Sequence, residues 1–127
     1  MTVRFDYDPG LDPPGPVLPV RVSAPGLAGG MLVPALVDSG ADISVVPESV
    51  AAAIGLPAIG EVSVQAVGHD SRKTLLFAAE VEVAGASAVI EVIAVGEDAL
   101  LGRNLLNRRV LTLHGPRRYV EVDGGAE

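Results

Sequence analysis

Ala35-Leu36-Val37-Asp38-Ser39-Gly40-Ala41-Asp42-Ile43-Ser44-Val45-Val46 is the stretch on which the reading of the fold turns. Leu36 and Val37 run apolar into a turn at Asp38-Ser39-Gly40, and Ile43 to Val46 resume an apolar strand directly afterwards. A short acidic residue between two buried strands is costly unless its oxygens meet donors, and Ser39 and the backbone N–H of Gly40 can donate. The Asp-Ser-Gly triplet alone reads as an ordinary Asx-type turn; its flanks give it further meaning.

Upstream, Val17, Leu18, Val20 and Val22, then Met31, Leu32 and Val33, form two aliphatic runs around the turn cluster Pro25 to Gly30, which predicts a hairpin. Downstream, Pro47 suits the first helical residue, Val50 and Ile54 share a face, and Gly55 with Pro57 supplies a stop, so one short helix is expected. The stretch Glu61 to Val83 reads as strand, polar turn at Gly68-His69-Asp70-Ser71, and strand. Val89 to Val95 give another strand. Leu100-Leu101-Gly102 leads into a helical turn at Arg103 to Arg108, and short strands near Val110 to Leu113 and Tyr119 to Val122 close the chain. Many short strands at intervals of roughly 8–12 residues argue for an all-β barrel or sandwich rather than a parallel sheet.

The ends differ from the middle. Residues 1–16 combine Asp6, Asp8 and Asp12 with four prolines, a mixture expected to sustain neither a ladder nor a helix, so they are read as an acidic arm. Residues 17–122 are assigned to one domain and residues 123–127 to a flexible tail. At 127 residues the chain suits a single core, and 49% hydrophobic with 3% aromatic residues favours a compact aliphatic one. A net charge of -7 repels phosphate, so neither nucleic acid nor an anionic membrane is an expected partner. The absence of cysteine excludes disulfides, thiol catalysis and Cys-based zinc sites. No apolar run is long enough to span a bilayer and the N-terminus is acidic where a signal peptide is basic, so the default expectation is cytoplasmic.

Residues 35–46 resemble the active-site loop of retropepsin-like aspartic proteases, in which hydrophobics are followed by Asp, Thr or Ser, Gly, Ala and Asp. Ala99-Leu100-Leu101-Gly102-Arg103-Asn104-Leu105-Leu106 resembles the second signature of the same family, in the right order. The resemblance implies a closed β-barrel or sandwich of the acid-protease type, half of a pepsin, with one or two short helices. It also implies an aspartic endopeptidase that needs no cofactor and no metal. The helix after Pro47 is longer than the turn usual in viral members and points to the cellular, bacterial branch.

By the same resemblance Asp38 is the catalytic carboxylate. Ser39 would brace the paired loops, Gly40 would let a substrate backbone approach, and Ala41, Asp42 and Arg103 would support the loop, the last two as an ion pair. Ala66, Val67, Gly68 and His69 would form the flap over a peptide or protein substrate. Two carboxylates are needed and the chain offers one Asp-Ser-Gly, so a homodimer is expected. The alternative is a catalytically weak or inactive module that binds peptide or dimerises through the same cleft, because fold does not guarantee chemistry. His114, Arg117 and Arg118 read as a solvated turn without a function.

Overall fold

The computed structural model describes residues 1–65, 68 and 70–124. Period-two alternation sets the interior: in β2 (Val17–Ser23) Leu18, Val20 and Val22 point inward, in β3 (Met31–Val37) Val33 and Ala35 do. After the Asp38 turn come β4 (Ser44–Val46), α1 (Glu48–Ile54) and β5 (Ala58–Val64). β6 (Arg72–Val83) and β7 (Ala86–Ala94) follow, contributing Ala79, Val81 and Val83, and Ile90 and Val92, to the same core. β8 (Ala99–Leu101), α2 (Arg103–Leu106), β9 (Leu111–His114) and β10 (Tyr119–Asp123) complete the chain. Each fully buried Val or Leu contributes about 1.5–3 kcal/mol, which is how an aliphatic core with few aromatics holds the fold.

Seven strands form one sheet in the order β2-β3-β8-β4-β7-β6-β5, and a further pairing of β2 with β6 closes six of them into a barrel. The predicted all-β barrel is therefore what the chain forms, and the β2–β3 hairpin and the β5–β6 hairpin are both present. Two pairings, β3 with β8 and β4 with β7, are parallel. Period-two patterning reports burial and not the direction of the neighbour, so the sequence did not disclose them.

Pro47 lies one residue outside α1, as its N-cap at φ -61° and ψ 145°, rather than as its first helical residue. Gly55 ends the helix in the left-handed region at φ 66°, a conformation that suits glycine. Val50 and Ala51 of α1 are buried in the core.

The reading of residues 1–16 as unable to sustain a ladder is corrected for Thr2–Asp6. These residues form β1, antiparallel to β10 with Val3 opposite Val122 and Phe5 opposite Val120, in a second sheet of order β1-β10-β9. The prolines all fall at positions 9–16, which leaves the alternating Val3 and Phe5 free to pair. Phe5 and Tyr7 pack against the core, and Val120 and Val122 are 0% exposed beneath them. At the other end, Asp123 belongs to β10 rather than to a tail, and residues 125–127 lie outside the described residues. Among the described residues no helix is long and apolar enough to cross a membrane.

Candidate active site

β3 carries the chain to Val37, and the Asp38 N–H donates to Leu101 O at 3.0 Å, extending the β3–β8 contact by one step. The turn then closes on itself. Gly40 N–H donates to Asp38 Oδ1 at 3.0 Å and Ala41 N–H to Asp38 O at 3.2 Å, an Asx turn in which the side chain imitates backbone. Of the two donors expected, Gly40 serves Asp38; the Ser39 hydroxyl has no partner among the described residues. Asp38 is half-buried, Ser39 and Gly40 are exposed, and Asp38 Oδ2 is unpartnered among the described residues. The turn thus holds one oxygen of a carboxylate and leaves the other open.

The second signature packs directly behind this turn. A Cβ on Gly102 would sit 2.6 Å from both the C and O of Ile43 and 3.0 Å from Ala41 O, all backbone, so only glycine fits there. This close approach lets the Arg103 N–H reach Ala41 O at 2.8 Å and Arg103 Nη1 reach Ser39 O at 2.7 Å. Arg103 Nη2 forms an ion pair with Asp42 Oδ1, bringing together the two residues expected to pair. With the Arg103 side chain 44% and the Asp42 side chain 87% exposed, solvent screens the pair and its worth lies in orienting the loop.

Two residues given no role from sequence join this assembly. Ser44 Oγ donates to Asn104 Oδ1 at 2.8 Å and accepts from Gly102 N–H at 2.9 Å, while Asn104 Nδ2 donates to Glu91 O at 2.7 Å. The signal was present: a serine at an inward position of an otherwise aliphatic strand must find partners. Its partner, Asn104, lies in the second signature.

Cross-strand register also defines a face beside Asp38. Leu36 pairs with Leu100, Leu100 with Val45, Val45 with Ile93 and Ile93 with Leu76, so five aliphatic residues form one row across β3, β8, β4, β7 and β6. The row begins two residues before Asp38 and ends at the β5–β6 hairpin. There a cavity of about 660 Å³ is lined by Val64, Asp70, Ser71, Arg72, Thr74, Ile93 and Val95. Asp38 is not among its described lining residues; the row of side chains connects the two. Of the expected flap residues, Gly68 is an exposed turn residue with φ 80°, and Ala66, Val67 and His69 lie outside the described residues. Among the described residues no group of three or more His, Asp or Glu side chains is arranged to hold a metal ion.

The family described as "gag-polyprotein putative aspartyl protease" matches residues 25–108, which include both the Asp38 turn and Gly102-Arg103-Asn104. The chain belongs to this family, that of the retropepsin-like aspartic proteases. The crystal structure of a retropepsin-like aspartic protease from Rickettsia conorii has the same fold. Its TM-score is 0.63 at 15% identity, over 96% of this chain and 89% of that one. The protease-reverse transcriptase of a foamy virus, solved with an RNA/DNA hybrid, matches with a TM-score of 0.55 at 19% identity over 70% of this chain. This chain covers 11% of the length of that one. No curated protein sequence matches.

Proposed function

We propose that the protein is an aspartic endopeptidase, active as a homodimer, in which Asp38 and its counterpart in a second copy activate a water against a peptide bond. The observation that carries this reading is the Asp38 carboxylate itself, presented on a turn pinned between the two signatures with one oxygen held by Gly40 N–H and the other open. Two carboxyls about 3 Å apart cannot both ionise, so the pair shares one proton and has a base and an acid at once. The ionised group takes a proton from water as it attacks the scissile carbonyl carbon, and the protonated group donates to the carbonyl oxygen. As the tetrahedral adduct collapses and the C–N bond breaks, the amine takes the proton that the first carboxylate accepted from water and a hydroxyl of the adduct returns one to the second, which restores the singly protonated pair. A single chain has one Asp-Ser-Gly turn, so the second carboxylate comes from a second copy across a two-fold axis.

In this reading exposed Ser39 and Gly40 face the partner loop and the substrate backbone, and Ala41, Asp42 and Arg103 keep the loop in shape. The aliphatic row from Leu36 to Leu76 lies under an extended peptide. Residues 66–69 cover it as a flap. The substrate is a peptide or protein, and no cofactor takes part.

The test is hydrolysis of a mixed peptide library from pH 4 to 8, with mass detection of products, at concentrations where sedimentation shows a dimer. Cleavage is expected, inhibited by pepstatin-like transition-state mimics and lost in Asp38→Asn. Undiminished cleavage by Asp38→Asn discards the reading, and peptide binding without any cleavage favours a binding module instead.

A further inference from the structure

Ser44 sits in β4 among Ile43, Val45 and Val46 and is 2% exposed. An aliphatic side chain would suit such a position, and burying a hydroxyl there costs about 1–3 kcal/mol unless it is satisfied. It is satisfied twice, by Asn104 Oδ1 as acceptor and by Gly102 N–H as donor. Asn104 Oδ1 also accepts from Ser44 N–H at 3.1 Å, and Asn104 Nδ2 is anchored on Glu91 O of β7. The hydroxyl is therefore fixed from behind by a side chain that is itself tied to the barrel wall.

What this hydroxyl holds is one end of a peptide plane. The N–H of Gly102 and the C=O of Leu101 belong to the same planar unit, which turns as a rigid body. Its N–H end is bound by Ser44 Oγ at 2.9 Å and its C=O end accepts the Asp38 N–H at 3.0 Å. Without the hydroxyl the buried Gly102 N–H is left without its acceptor, and any rotation of the plane toward another one swings the carbonyl away from Asp38. On the side where a Cβ would stand, Gly102 has no room to give, because backbone atoms of Ile43 and Ala41 occupy that space.

We infer that Ser44 is a positioning residue for Asp38, acting through the Leu101–Gly102 peptide group. The inference rests on Asp38 being the catalytic carboxylate. Asn104 acts one step further back, by fixing the direction of the Ser44 hydroxyl.

Ser44→Ala and Ser44→Thr, compared in the full chain, test it. Ser44→Ala is expected to lower kcat by roughly 10- to 100-fold with KM little changed, the scale set by a small misplacement of a reacting group, and Ser44→Thr to restore most of the rate. Amide hydrogen exchange gives a readout that does not require activity. In Ser44→Ala the Asp38 and Gly102 amides are expected to exchange about tenfold faster or more, while those of Val20 and Val81 in the β2–β6 ladder stay at the wild-type rate. Wild-type exchange at Asp38 overturns the inference, as does a uniform acceleration of all four amides with kcat and thermal midpoint falling together. Should Ser44→Ala not fold, Ser44→Cys, whose thiol is a weak partner in a similar shape, carries the same two readouts. If the wild-type chain cleaves no peptide, the proposed function fails while the exchange pattern still decides whether Ser44 holds Asp38.

Discussion

The Asp38 turn and the terminal sheet both join stretches of chain that are far apart in sequence, and they do so by different means. At the turn, residues 38–44 meet 101–104 through backbone and side-chain hydrogen bonds around a glycine with no room for a Cβ. In the terminal sheet, β1 meets β10 by register and β10 in turn meets β9, with Val3, Phe5, Val120 and Val122 on the inner face. Its outer face is a polar column, where Arg4 Cζ lies 3.7 Å from the Tyr119 ring centroid and His114 stacks on that ring at 4.2 Å. His114 Nε2 also lies 3.1 Å from Glu121 Oε1, so part of the basic cluster expected to be solvated is taken up in this column. Polar directionality fixes geometry at the turn, whereas apolar area supplies stability at the sheet. A substitution that separates the two regions should therefore separate activity from stability.

The largest separation is expected from Asp38→Asn. Peptide hydrolysis should fall by at least roughly 10²–10⁴-fold, the usual worth of a general acid-base group, with the unfolding midpoint nearly unchanged. A large loss of stability in a denaturant titration would show that Asp38 is mainly a structural turn residue. Phe5→Ala is its mirror image: the ring packs on the core from the terminal sheet, and its removal should cost roughly 3 kcal/mol in the same titration. Activity per folded dimer should survive it. A cost below about 1 kcal/mol would mean that β1 docks loosely.

Gly102→Ala probes the place where the two properties coincide. A Cβ 2.6 Å from Ile43 backbone forces the turn and the second signature apart, and overpacking of this kind costs about 1–3 kcal/mol. Activity should fall more than stability predicts, since the displaced peptide is the one that binds Asp38 N–H; equal losses in both would argue against that coupling. The smallest effect is assigned to Arg4→Ala, which removes the stack over Tyr119 on an exposed face and should cost about 0.5–1 kcal/mol without touching the rate.

The same contrast explains what was legible. The two hairpins, the short helix and the all-β barrel could be read because alternation, proline and glycine act locally. The pairing of Asp42 with Arg103 was legible through the resemblance of residues 35–46 and 99–106 to two family signatures, and the structure places Arg103 against Asp42 and against Ser39 O. β1 was not, because proline at positions 9–16 masked a five-residue alternating stretch whose ladder partner, β10, is more than a hundred residues away. Ser44 was overlooked for a related reason. Its burial is a property of the barrel, and its partners Gly102 and Asn104 come from the other signature.

By itself, the sequence determined the kind of architecture and the turn that presents Asp38, since these follow from local backbone preference and residue chemistry. Tertiary structure alone decided that β3 and β4 take parallel partners, that the first strand closes onto the last, and that one peptide plane is shared between Ser44 and Asp38. Register and hydrogen-bond direction between distant segments depend on which surfaces the whole chain must bury, and no single stretch of it encodes that choice.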